Sequence, residues 1–187
     1  MATKRITITL KLSELLYDIQ DKSWHAGRTK QDKALGSLVQ ATDDAESLNL
    51  LKRFIITATG DVRAALSEWG VLGASSVNNV LIKGGEDVIG LDMPTNYNDG
   101  ATDGLVGAIH NYIVASALAQ WYESTDPQAV AMWTAQAQAE LEKAHDCILK
   151  RKRPLRRGYV QQESDTEVDV YLWDDDLVWD DDRIWSD

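Results

Sequence analysis

Gly104-Leu105-Val106-Gly107-Ala108-Ile109-His110-Asn111-Tyr112-Ile113-Val114-Ala115-Ser116-Ala117-Leu118-Ala119-Gln120-Trp121-Tyr122 is the stretch on which the fold turns. Leu105, Ile109, Ile113 and Ala117 recur every four residues, as on one face of a helix, yet Val106, Ala108, Val114, Ala115 and Ala119 surround them. A helix apolar nearly all round must be covered on more than one side. Glu123-Ser124-Thr125-Asp126-Pro127 then reads as a turn, with Asp126 capping a second helix and Pro127 in its first turn, where a missing N–H costs nothing. In that second helix Val130, Trp133, Ala137, Leu141, Ala144 and Ile148 form one stripe, and Gln136, Gln138, Glu140, Glu142 and Lys143 take the other sides. So short a connection predicts an antiparallel helical hairpin from Ala101 to Arg153. Leu105, Ile109, Ile113, Trp121, Trp133, Leu141 and Ile148 are expected to serve it as core and as intersubunit interface.

Upstream, Arg5-Ile6-Thr7-Ile8-Thr9-Leu10-Lys11-Leu12 alternates apolar with polar residues and is β-branched, the pattern of a half-buried strand. Ser13 and Glu14 open a helix expected to last to about Ser23 or Trp24, with Gly27 ending or bending it. Arg28 to Gln40 reads as helical on few apolar residues. Asp43 and Asp44 precede a third amphipathic helix, with Leu48, Leu51, Ile55, Ala58, Val62, Ala65 and Trp69 in phase across Gly60 until Gly70 stops it. Val80-Leu81-Ile82 and Asp87-Val88-Ile89-Gly90-Leu91 about Gly84-Gly85 suggest a β-hairpin, an insertion at about 78–92. The expected fold is mainly α: a small bundle with an antiparallel α-hairpin, a minor β component and an extended C-terminal arm. The expected division is 1–154 for the helical domain and 155–187 for the tail.

The formal charge of −11 divides unevenly over the 187 residues, because Glu163 to Asp187 carry −10 of it and leave −1 for the rest. One cysteine, Cys147, cannot form an internal disulfide, and no apolar N-terminal run reads as a signal peptide, which together suggest a reducing cytoplasm. No run of about 20 apolar residues predicts a membrane span. The tail repeats aliphatic-Trp-acid with period six: Leu172-Trp173-Asp174-Asp175-Asp176, Val178-Trp179-Asp180-Asp181-Asp182, Ile184-Trp185-Ser186-Asp187. An even step keeps Trp173, Trp179 and Trp185 on one side of an extended chain, about 20 Å apart, whereas a helix would scatter them. Tyr171, the three Trp and Asp174, Asp175, Asp176, Asp180, Asp181 and Asp182 are therefore read as a partner-docking arm. A disordered acidic appendage and Ca²⁺ binding are the competing readings, although the Asp triplets lack the D-x-D-x-D-G loop.

Before the arm, Lys150, Arg151, Lys152, Arg153, Arg156 and Arg157 form a run of bases without an acid. Three roles fit it: pairing with the acidic tail within or between chains, contact with DNA phosphates, or favourable charge at a helix end. Glu142-Lys143-Ala144-His145 has the E-x-x-H spacing of di-iron bundles, but Ala101 to Tyr122 offers no facing Glu, so no metal and no other cofactor is expected. His25 and His110 stand alone, without a recognisable nucleophile motif, and the glycines form neither a dinucleotide fingerprint nor a P-loop. His110 is expected to make one hydrogen bond inside the bundle, and the chain is read as no enzyme.

The order of parts resembles the head-to-tail adaptor (connector) proteins of tailed bacteriophages. The similar pieces are the helix Leu48 to Trp69, a β insertion, Gly104-Leu105-Val106-Gly107-Ala108-Ile109-His110-Asn111-Tyr112 running into Ala119-Gln120-Trp121-Tyr122-Glu123, and a last helix ending in bases. With the N-terminal strand and Met93-Pro94-Thr95-Asn96-Tyr97-Asn98, the chain also looks like structural proteins of Bacteroides-type phages and prophages. The resemblance covers about Ser13 to Arg153, while the strand at Arg5 to Leu12 and the Trp-Asp tail depart from the simplest adaptors. It implies a virion protein, assembled in the host cytoplasm into a homo-oligomeric ring, twelve-fold in that family. Such a ring joins portal to tail and neighbouring ring proteins, and DNA passes through its channel without sequence-specific recognition. The alternative reading is a cytoplasmic DNA-binding or packaging accessory protein that uses the run at 150–157.

Overall fold

The computed structural model describes residues 3–71 and 85–153. In chain order these are β1 (Thr3–Lys11), α1 (Leu12–Thr29), α2 (Lys33–Val39), α3 (Ala45–Ala65), β2 (Glu86–Pro94), a 3-10 turn (Asp99–Ala101), α4 (Thr102–Thr125) and α5 (Pro127–Leu149). The protein is a small, mainly helical bundle with a minor two-stranded antiparallel β component. It divides into two units, Met1–Arg153 and Pro154–Asp187, and the second lies outside the described residues.

The central element is α4. It packs on α5, α3, α1 and α2, and Leu105, Ala108, Ile109, Ile113, Val114, Ala115, Ala117, Leu118, Trp121 and Tyr122 are buried on it within one chain. The cover that its composition demands thus comes from the chain's own helices. Its antiparallel partner α5 follows after the single residue Asp126 and begins with Pro127, as the turn predicts. Asp126 holds the N-cap position, but its side chain makes no cap hydrogen bond. The carboxylate is instead buried against the Lys30 ammonium from the end of α1, because an ion pair with a charged donor outweighs a neutral N–H cap.

α3 runs unbroken through Gly60, burying Leu51, Ile55, Ala58, Thr59 and Val62. It ends at Ala65, five residues before Gly70, by tightening: Ser67 N–H donates to Ala64 O at 3.3 Å and Trp69 N–H to Leu66 O at 3.0 Å. α1 is longer than its sequence suggests and passes through Gly27 without a break. Gly27 is buried where α2 crosses: a Cβ there would stand 2.5 Å from the Gly36 carbonyl oxygen, and one at Gly36 2.6 Å from that of Gly27. The two glycines let two helix backbones touch. Between them the helix predicted over Arg28 to Gln40 is interrupted, and Asp32 caps α2 by accepting the Ala34 N–H at 2.8 Å.

β1 alternates as read, with Ile6, Ile8 and Leu10 buried and Arg5, Thr7 and Thr9 exposed. Its partner is β2, with Ile6 opposite Leu91, Ile8 opposite Ile89 and Leu10 opposite Asp87. The predicted strand at Val80-Leu81-Ile82 and Gly84 lie outside the described residues. Gly85 has φ +71°, a left-handed conformation open to glycine, and its carbonyl accepts the Leu12 N–H at 2.9 Å. The other edge of β2 is met by the end of the α3 segment: Val71 N–H donates to Gly90 O at 3.1 Å and Asp92 N–H to Trp69 O at 2.7 Å.

Candidate functional site

The basic run begins where α5 ends, and the four bases among the described residues have two different fates. Lys150 N–H turns back to Cys147 O at 3.2 Å, and the chain leaves the helix extended. It then zips onto the loop after β2: Asn98 N–H donates to Lys150 O at 3.1 Å and Lys152 N–H to Asn96 O at 2.7 Å, with Tyr97 bridged to Arg151. Arg151 donates to the free carbonyl of Ile148 at 2.6 Å, where a cation complements the helix C-terminus. Lys152 Nζ reaches Asp99 at 3.0 Å, and Lys4 from β1 reaches the same carboxylate. Hydrogen bonds from Lys4 and then Lys152 hold the Asp99 carboxyl below the usual carboxylate range. Two of the four bases are thus structural. Lys150 and Arg153 are exposed and make no ion pair among the described residues, whereas Arg156 and Arg157 lie outside them.

The hairpin residues singled out by the sequence come together in the core of one chain. Leu105, Ile109, Ile113 and Ile148 are fully buried, Trp121 and Trp133 nearly so, and Leu141 half-buried. Tyr122 stacks on Trp133 with ring centres 6.1 Å apart and an interplanar angle of 22°. Burial, then the Asp126 carboxylate, pushes the Tyr122 phenol up to about 12. The hydroxyls of Tyr97 and Tyr122 and the Trp133 indole N–H are buried without a hydrogen-bond partner among the described residues, a cost of about 1–3 kcal/mol each. The docking-arm residues Tyr171, Trp173, Trp179, Trp185, Asp174, Asp175, Asp176, Asp180, Asp181 and Asp182 all lie outside the described residues.

His110 makes the single bond expected of it, Nε2 to the Asp18 carboxylate at 2.7 Å, tying α4 to α1. Glu142 is exposed, and His145 sets its ring edge-on to Trp69 at 6.1 Å. Among the described residues no group of three or more His, Cys, Asp or Glu is placed to hold a metal ion. Among the same residues no helix is long and apolar enough to cross a membrane.

Three polar features escaped sequence reading. Ser23, fully buried on α1, donates to Gln20 O at 2.9 Å and accepts the Ala41 N–H at 3.0 Å. The Trp121 indole donates to Val39 O at 2.8 Å, which pins the end of α2 to α4. An open groove of about 510 Å³ runs between α1 and residues 40–43, lined by Tyr17, Gln20, Trp24 and Thr42 among others. The Arg28 guanidinium lies 4.7 Å from the Trp24 ring centre beside it. A serine falling on the Leu15–Ile19 stripe was the one available signal for the first of these.

Comparison with protein-family models, with curated proteins and with solved structures finds no match to this chain.

Proposed function

We propose that the chain is a structural virion subunit of the head-to-tail adaptor class, acting by assembly into a ring that connects the capsid portal to the tail. The observation that supports this reading is a division of labour along the chain. One unit, Met1–Arg153, closes its own hydrophobic core round α4, and the other, Pro154–Asp187, carries three Trp and −8 of the net charge of −11. A core that needs no partner leaves association to surfaces and to the arm. The arm then docks on a neighbouring subunit or a connector partner, and the body supplies the ring wall. Native mass spectrometry of the full chain, alone and with a tailed-phage portal protein, tests the reading. A closed ring of one stoichiometry, twelve by the family resemblance, is expected. A monomer under both conditions overturns it.

Exposed Lys150 and Arg153 favour one second reading, a DNA-packaging accessory role. Phosphate contacts by Lys150, Arg153, Arg156 and Arg157 together would give a log–log salt slope of about −3.6 for duplex binding. Affinity independent of salt removes this alternative.

A further inference from the structure

The outer edge of β1 is unpartnered among the described residues, and the ladder defines which backbone groups it presents. In an antiparallel pair, residues alternate between exchanging both backbone hydrogen bonds with the partner strand and directing both away from it. Gly90 and Asp92 bond outward, to Val71 and Trp69, so their partners Thr7 and Arg5 also direct N–H and C=O away from the sheet. Thr3, Thr9 and Lys11 share that parity. Thr3, Arg5, Thr7 and Thr9 make no backbone hydrogen bond on that side among the described residues, whereas Lys11 is the N-cap of α1 and turns its carbonyl into that helix. The same five side chains are on the solvent face, whereas Ile6, Ile8 and Leu10 are on the buried one. A nine-residue edge of this kind is a template for another strand.

The chain itself carries a segment with the matching pattern. In Glu163-Ser164-Asp165-Thr166-Glu167-Val168-Asp169-Val170-Tyr171-Leu172 the odd positions from 163 to 169 are all acidic, and from 166 the even ones are β-branched or aliphatic. The period is two. We propose that residues 163–172 of a second copy add to the outer edge of β1, antiparallel to it. The inference rests on the reading of the chain as an assembling subunit and names the acceptor of its arm. With Val168 beside Ile6 and Thr166 beside Ile8, the even side chains extend the buried face. Asp169 then stands opposite Arg5, and Glu163 opposite Lys11, because both pairs are six residues apart. Opposite charges directly across strands favour that register. Arg5 and Lys11 now pair with Asp92 at 3.3 Å and Glu14 at 2.9 Å, exposed contacts of little weight that can be shared or exchanged.

Chain length favours the neighbour over the segment's own β1. Arg153 follows Lys152, which shares Asp99 with Lys4, so the body ends at the Thr3 end of the strand. From Arg153 to Glu163 the linker reaches at most about 33–36 Å, and β1 is about 27 Å long. Antiparallel pairing within one chain would need that linker drawn out along the whole strand to about three-quarters of its full length, at a cost in chain entropy. A neighbouring copy meets no such limit.

The test uses the full chain, with native mass spectrometry and hydrogen exchange of residues 3–11. Two variants act on opposite sides of the contact: Thr7→Pro removes an outward donor from the edge, and Val168→Asp with Val170→Asp spoils the apolar face of the added strand. Either is expected to abolish assembly. Amides of Arg5, Thr7 and Thr9 are expected to exchange about 100-fold slower in the wild type than in the double variant. Arg5→Glu is expected to weaken assembly, and Arg5→Glu with Asp169→Arg to restore it. Should Thr7→Pro unfold the body, the arm variant still decides, since its substitutions lie outside that unit. A ring that persists in the arm variant, with β1 amides exchanging at open-edge rates, overturns the site and leaves the ring reading standing. A wild-type chain that never assembles overturns the ring reading itself. Protected β1 amides in a monomer overturn the intersubunit pairing in favour of pairing within one chain.

Discussion

Gly27→Ala and Gly60→Ala make the same chemical change on two helices, and the structure assigns them opposite signs. Exchanging glycine for alanine inside a helix stabilises by about 0.5–1 kcal/mol through the entropy of the unfolded chain. At Gly60, exposed on α3, nothing lies within 4 Å of the new methyl group, so the whole gain is realised. At Gly27 the methyl would stand 2.5 Å from the Gly36 carbonyl oxygen and 2.6 Å from Gln40 Cγ. The Gln40 side chain can swing aside, but a backbone carbonyl moves only with its helix. Displacing α2 costs about 1–3 kcal/mol as overpacking and also strains the Trp121 bond to Val39 O. The net expectation is a loss of about 1–2 kcal/mol for Gly27→Ala against a gain of up to about 1 kcal/mol for Gly60→Ala. In a chain of this size each kcal/mol moves the midpoint by about 2–4 °C, so the two variants should melt several degrees apart on either side of the parent. Urea unfolding followed by far-UV circular dichroism measures both. A Gly27→Ala variant as stable as Gly60→Ala would falsify the claim that the α1–α2 crossing is a backbone contact.

Arg63→Ala should cost about 2–4 kcal/mol in the same assay, because Arg63 donates at 2.5 Å to the buried Asp87 carboxylate, which would otherwise stand on the apolar side of β2 without its cation. Tyr122 gives a pH dependence of defined sign. Its folded pKa of about 12 exceeds the ordinary phenol value of 10, so the stabilisation is complete below pH 10 and is lost as pH rises towards 12. The loss amounts to about 2–3 kcal/mol at the top of that window and should be absent in Tyr122→Phe. Trp121→Phe keeps an aromatic side chain but removes the indole donor from Val39 O and part of the buried ring volume, which should cost about 1–3 kcal/mol and speed amide exchange in Lys33–Val39 more than in α3.

The helices with a long apolar stripe were legible from residues alone. α4 and α5 are where periodicity puts them, α3 stops at Ala65 short of the expected Gly70, and the alternation of β1 gave its buried face, although the strand spans Thr3–Lys11 and not Arg5–Leu12. Gly27 was misread because a glycine that ends a helix and one that lets another helix approach look alike until the second helix is placed. α2 buries only Gly36 and Val39 of its own residues, so no stripe announces it. Its position comes instead from polar ties, Ser23 to Ala41 and Trp121 to Val39, which join residues 18 and 82 positions apart in sequence. Asp126 was assigned a local role because its distant partner, Lys30, has no signature in the sequence. The basic run shows the same limit: composition gave its six charges equal weight, whereas the fold occupies Arg151 with a helix end and Lys152 with Asp99.

The pairing of β1 with β2 also bears on how the protein is made. Thr3 pairs with Pro94 and Lys11 with Glu86, so β1 leaves the ribosome about 80 residues before its partner exists. At about 5–20 residues per second that wait lasts roughly 4–16 s, far longer than a helix or a hairpin needs to form. Throughout it, a β-branched strand with an apolar face is exposed on both edges. α1, which follows β1 without an intervening residue and buries Leu15 and Ile19, is the earliest cover available to that strand during synthesis.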